Sequence, residues 1–225
     1  FLITVLSAGL VTAHGQLKSF VVDGNAYPAF DPAFDYDAKY VSKRIEWGFA
    51  KGRGGVGPVE RVDGKDVACR FAPLKEPGFA APARAGSEIS FKWLDWFQSH
   101  KGPVITYMGL LPENKDPYSA EFFKIDESAY DPKTRTWGTD VLMKNKNTRT
   151  VTIPSDLKPG TYIVRHEIIS LHNALNDDYV KKSSGAQFYP NCINVEVTGS
   201  GTVSPPTVGK FPGAYKWDDK GILVN

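Results

Sequence analysis

Few side chains in this 225-residue chain could carry chemistry beyond acid–base work: it holds 4 His and 2 Cys. The histidines are His14, His100, His166 and His172; the cysteines are Cys69 and Cys192. Two cysteines are too few for a zinc finger or an iron–sulfur cluster, but they can form one disulfide. The first histidine gains meaning from what precedes it. Residues 1–13, FLITVLSAGLVTA, carry no charge and are too short to span a bilayer. They read as the apolar core and small-residue end of a secretory signal, with Val11 and Ala13 before the cut; a buried first strand is the alternative. Cleavage after Ala13 leaves His14 as the first residue of a secreted, extracellular protein. A terminal amine titrates at roughly 7.7–8.0 and an imidazole at about 6.5, so both can offer a lone pair near neutrality. One residue then supplies two nitrogens from a flexible chelate.

A second nitrogen ligand is available in His100, within SHKGPVITYM between two strand-like segments. A solvated loop histidine is the plain alternative. His166 and His172 flank EIISL, and their even spacing places both on one face of an extended strand. One of them can then serve a site while the other packs below it. Imidazoles with an amine suit copper, which leads the affinity order for such ligands. Secretion also favours a Cys69–Cys192 disulfide, against two free buried thiols.

The elements that must hold these residues are strands. EISFKWLDW at 88–96 alternates with period two, and 103–108, 149–153, 161–169 and 192–197 are further strand candidates. Pro159-Gly160 marks the turn before TYIVRHEIIS. Trp93 and Trp96 are assigned to structure, and a short helix is expected over Ser119–Asp126. The run GFAKGRGGVGP has too many glycines for a helix and lacks the Gly-Lys-Ser/Thr ending of a phosphate loop. With no βαβ rhythm and no internal repeat, an all-β antiparallel sandwich with long loops and short helices is expected. VSPPTV at 203–208 leads into a tail strapped to the body. The domain plan is a partial signal over 1–13 and one catalytic domain over 14–225.

Several ordered motifs resemble the fungal lytic polysaccharide monooxygenases of auxiliary activity family 9, formerly glycoside hydrolase family 61. They are HG at 14–15, DVAC at 66–69, SHKGPV at 99–104, FFKIDE at 122–127, TVTIPSDLKPGTYIVRHEIISLH at 150–172, GAQFYPNC at 185–192 and FPGAYKWDDKGILVN at 211–225. The resemblance implies an immunoglobulin-like β-sandwich with one copper ion on a flat face. It implies a histidine brace of His14, through amine and ring, and His100, with Tyr189 axial. His172 and Gln187 fall on the pair that orients the oxygen species, and Cys69 and Cys192 on a family disulfide. His166 is assigned packing or hydrogen bonding. Tyr215 resembles a substrate-face tyrosine, with Tyr40 and Tyr36 as further aromatic candidates. One departure is the long NALNDDYVKKSSGA segment at 173–186, which bears on substrate choice.

The implied reaction is oxidative cleavage of β-1,4-glucan such as cellulose. Hydrogen is abstracted at C1 or C4 with dioxygen or hydrogen peroxide and an external electron donor. The expected partners are a β-glucan surface and that donor, with no nucleic acid and no membrane, and the protein is expected to be a monomer. Lys+Arg 27 against Asp+Glu 25 gives +2, which provides no general field for a polyanion. Two other classes are weighed: a non-catalytic copper- or carbohydrate-binding protein, and an endoglucanase. The latter needs two carboxylates across a cleft, and no such pair is legible.

Overall fold

The computed structural model describes residues 15–50, 57–174 and 185–224. The expected signal segment, His14 and residues 175–184 of the long insertion lie outside the described residues. Among those described, nine strands form two sheets. The first sheet contains β1 (Leu17–Val22), β2 (Asn25–Pro28), β4 (Glu88–Trp93) and β7 (Thr148–Thr152), in the order β2-β1-β4-β7. The second contains β3 (Ala81–Arg84), β5 (Val104–Leu110), β6 (Phe122–Ser128), β8 (Gly160–Ser170) and β9 (Gln187–Thr198), in the order β3-β9-β8-β5-β6. All pairs are antiparallel except β3 with β9. The expected β-sandwich is therefore present, with one parallel edge.

Alternation explains the inner layer. In β4, Ile89, Phe91 and Trp93 are buried while Glu88, Ser90 and Lys92 face outward or lie part-covered. These apolar residues meet Val164, Ile168, Met108, Tyr189 and Ile193 between the sheets. β8 and β9 pair along their whole length, from Gly160↔Val197 to Ser170↔Gln187, and are buried on both faces. Their outer face is covered by Trp47, Phe49, Val67 and Phe211, on segments outside the strands or in short α2 (Asp66–Cys69). Cys69 and Cys192 form a disulfide with Cα atoms 5.2 Å apart, joining that cover to β9 across a separation of 123 residues.

Two expectations about elements change. EISFKWLDW leaves the sheet at Trp93, because the Leu94 amide bonds the Gln16 carbonyl and the chain turns. The helix expected over Ser119–Asp126 is absent. A single 3₁₀ turn, Pro117–Ser119, is capped by the Asp116 side chain, and FFKIDES then pairs with β5 as an edge strand. Cross-strand pairing overrides the weak local preference.

Candidate metal centre

The site is assembled at the end of the sandwich where β8 finishes and β5 begins. The backbones of these flanks are joined by hydrogen bonds from the Ile169 amide to the Pro103 carbonyl (3.1 Å) and from the Leu171 amide to the Lys101 carbonyl (2.8 Å). Gly102 makes this approach possible: a Cβ there would lie 1.8 Å from the Ile169 carbonyl oxygen. His100 precedes one half of this join and His172 follows the other. Their rings consequently lie 4.0 Å apart between centroids, tilted by 33°.

Each ring is oriented by a serine. Ser99 Oγ lies 3.0 Å from His100 Nδ1, and Ser170 Oγ lies 2.7 Å from His172 Nδ1. Such contacts fix the ring and designate Nε2 as the nitrogen for other work. Burial lowers the His172 pKa and so favours its neutral form. Gln187 and Tyr189 stand two apart on β9, and the Tyr189 hydroxyl donates to Gln187 Oε1 at 3.1 Å. The carbonyl end of Gln187 is thus engaged, which leaves its Nε2 hydrogens as donors. Tyr189 is fully buried, and burial pushes its phenol well above the ordinary value, so it offers a neutral oxygen.

Trp96, assigned above to structure, forms a wall of this site. It has left β4, packs edge-on against Tyr189 with centroids 5.1 Å apart, and donates from Nε1 to the His100 carbonyl at 2.8 Å. Its ring also presses on the start of the described chain: a Cβ at Gly15 would lie 2.0 Å from Trp96 Cζ3. The Leu94–Gln16 bond (2.9 Å) anchors the next residue. Gly15, the first described residue, therefore lies against the same wall. The only signal for this in the sequence was the small residue after His14.

His166 is not part of the group. It lies between the sheets, stacked on Phe91 at 4.0 Å, accepting from Trp93 Nε1 at 3.1 Å and 2.9 Å from Thr106 Oγ1. Burial first, then the positive charges of Arg149 and Arg165, lower its pKa to about 3. Of the two, His166 is the one that packs below, while His172 lies past the strand end at Ser170.

The aromatic candidates differ in exposure and in partners. The Tyr215 hydroxyl turns inward to Glu167 and to the Tyr107 hydroxyl (2.8 Å), while its ring packs on Phe211 and Phe188. Tyr40 is half-buried, its hydroxyl held by the Ala29 carbonyl and the Asp31 amide. Tyr36 is 85% exposed. A groove of about 470 Å³, lined by residues including Leu110, Phe123, Lys158 and Tyr162, opens at the opposite end of β5 and β8. The paired histidines lie outside it, on a surface edge. Among the described residues no three His, Cys, Asp or Glu side chains gather as a metal cluster.

The β-sandwich thus brings two oriented imidazoles, a buried phenol and an amide to one edge. Residues 14–225 match Auxiliary Activity family 9 (formerly GH61), and the chain belongs to that family of copper-dependent oxidoreductases. AA9 family lytic polysaccharide monooxygenase A of Geotrichum candidum is 40% identical over 222 residues, covering 97% of this chain and 73% of the relative. Monooxygenase B of that organism is 41% identical, covering 97% of this chain but 58% of the relative. Among solved structures, the extended catalytic domain of H. jecorina LPMO9A superposes with a TM-score of 0.79 at 33% identity, covering 94% of this chain and 84% of that one. Cel61B of Hypocrea jecorina gives 0.79 at 30% identity, with coverage of 94% and 93%.

Proposed function

We propose that the protein is a secreted, monomeric, copper-dependent monooxygenase that cleaves β-1,4-glucan oxidatively at C1, C4 or both, drawing electrons from an external donor. The observation that carries this reading is the pair of imidazoles 4.0 Å apart, each held at Nδ1 by a serine. His14, through its amine and ring, and His100 would hold one copper ion, with the Tyr189 hydroxyl as a further oxygen donor. Nitrogen donors of this kind suit copper. Copper bound there would supply one-electron chemistry toward dioxygen or hydrogen peroxide.

The chain's own residues do the rest. His100 is kept in one orientation by Ser99. Gln187 Nε2 can donate to the reacting oxygen, and His172 Nε2 can hydrogen-bond to it and hold its proton. The buried, neutral Tyr189 phenol occupies the position behind the site and limits entry of small ligands. The edge location lets a polymer surface approach without entering a pocket. Tyr36, with its large exposed ring, remains a substrate-contact candidate; Tyr40 and Tyr215 would contribute through their rings, since their hydroxyls are engaged.

A start of the mature chain at His14 is supported by the family match, which begins at that residue. No helix among the described residues is long and apolar enough to cross a membrane. A hydrolase reading finds no support in Glu46 and Glu167, both buried: the first accepts from the Phe30 amide, the second pairs with Arg165. The test is incubation of copper-loaded mature protein with cellulose or xyloglucan and a reductant, with products identified by mass. Aldonic or C4-keto ends are expected. New ordinary reducing ends would indicate hydrolysis, and no products under reductant and peroxide would indicate a binding protein.

A further inference from the structure

We propose that Arg70 is a positioning residue of the metal face, holding in one grip the peptide that follows residue 14 and the segment that carries Tyr189. The inference rests on the function proposed above. Arg70 is fully buried. Its Nη2 donates to the Gly15 carbonyl at 2.9 Å and to the Gly57 carbonyl at 3.4 Å, and its Nη1 donates to Asn191 Oδ1 at 3.2 Å. Asn191 passes the link on, because its Nδ2 donates to the Tyr189 carbonyl at 3.0 Å. The guanidinium also lies over the rings of Phe49 and Tyr189, 5.2 and 5.8 Å from their centroids.

Two further facts separate this arrangement from ordinary packing. Arg70 has φ +80° and ψ −161°, a region that essentially only glycine occupies and that strains an L-residue. A side chain kept on such a backbone must be worth more than the glycine that would relax it. The residue is also fixed at its base, since Cys69 is bonded to Cys192 beside Asn191. Burying a guanidinium is costly unless it is compensated; here the compensation comes from the Gly15 and Gly57 carbonyls and the Asn191 side-chain oxygen. A planar, five-donor fork can hold three acceptors at once, whereas an ammonium is a point donor.

Arg70→Lys in the mature protein keeps the charge and removes the fork. We expect it to fold, to bind Cu(II) about 10–100-fold more weakly, as losses of outer partners of a metal site do, and to give an altered Cu(II) EPR spectrum. Arg165→Lys, in the buried Arg165–Glu167 pair, is the control: it should lower the unfolding temperature while leaving affinity and spectrum at wild-type values. A folded Arg70→Lys with wild-type affinity and spectrum would overturn the proposal. So would an Arg165→Lys protein that changes both in the same way, because that would mark general loosening. If Arg70→Lys does not fold, Asn191→Ala decides. It removes both the Oδ1 that accepts from Arg70 and the Nδ2 that reaches the Tyr189 carbonyl, and it leaves the bond from Arg70 to Gly15 in place, so an altered EPR spectrum supports the proposal and an unaltered one overturns it. A wild-type protein that fails to bind one equivalent of copper would instead overturn the proposed function, and this inference with it.

Discussion

His100→Ala removes a proposed ligand while its neighbours keep their bonds. Copper affinity, measured by titration calorimetry on the mature protein, should fall by more than the about 10–100-fold that changes around a metal site cost. Gln187→Ala should behave differently. Its amide stands beside the Tyr189 hydroxyl, so copper affinity should stay within about tenfold while oxidised products fall steeply. Wild-type product yield from Gln187→Ala would remove that residue from the chemistry. One extra residue before His14 converts the amine into an amide and should weaken copper binding as severely as His100→Ala; intact mass of the amino terminus verifies the start. These residues were legible in the sequence because histidines are few and each sits in a distinctive motif. Arg70 and Trp96 were not. An arginine after a cysteine, and a tryptophan in an alternating stretch, have no pattern that marks them as supports, since their partners lie far away in sequence.

At the scale of elements, the staple between Cys69 and Cys192 joins the outer cover to β9. Replacing both cysteines with Ser should cost about 2–5 kcal/mol, read from urea unfolding of the oxidised wild type and the variant. Because Arg70 and Asn191 flank the two cysteines, copper affinity should fall in the same variant. Period-two alternation located β4, β5, β7, β8 and part of β9, where one or both faces are apolar. It missed β1 and β3, whose LKSFVV and APAR are short and make sense only through their partners β4 and β9. It misread FFKIDES, where two adjacent aromatics hide the alternation and the edge of the sheet supplies the reason to be extended. The join between the two histidine segments depends on Gly102, and the sequence showed that residue only as one glycine among 21.

For the molecule as a whole, two buried titratable groups shape stability in opposite directions. His166 falls from 6.5 to about 3 on folding, so folding excludes a proton and stability rises with pH between those values. Glu46 rises from 4.5 to about 8, chiefly through burial and against the pull of the Phe30 amide, Arg70 and Arg44. Folding therefore retains its proton, and the stability it gives is full below 4.5 and lost as pH climbs towards 8. The two slopes, each up to ~1.4 kcal/mol per pH unit, cancel between about pH 4.5 and 6.5. The unfolding temperature should show a plateau there, an acid limb from His166 and an alkaline limb from Glu46. Glu46→Gln should flatten the alkaline limb alone; an unchanged limb would assign it to other groups. The backbone join at Gly102 has a consequence of its own for metal exchange. The bonds that set His100 against His172 are backbone bonds with no proposed ligand atom among their partners. The Ile169 and Leu171 amides should therefore exchange with deuterium equally slowly in the metal-free and copper-loaded protein. Copper release would leave this half of the site ready-made for the next ion.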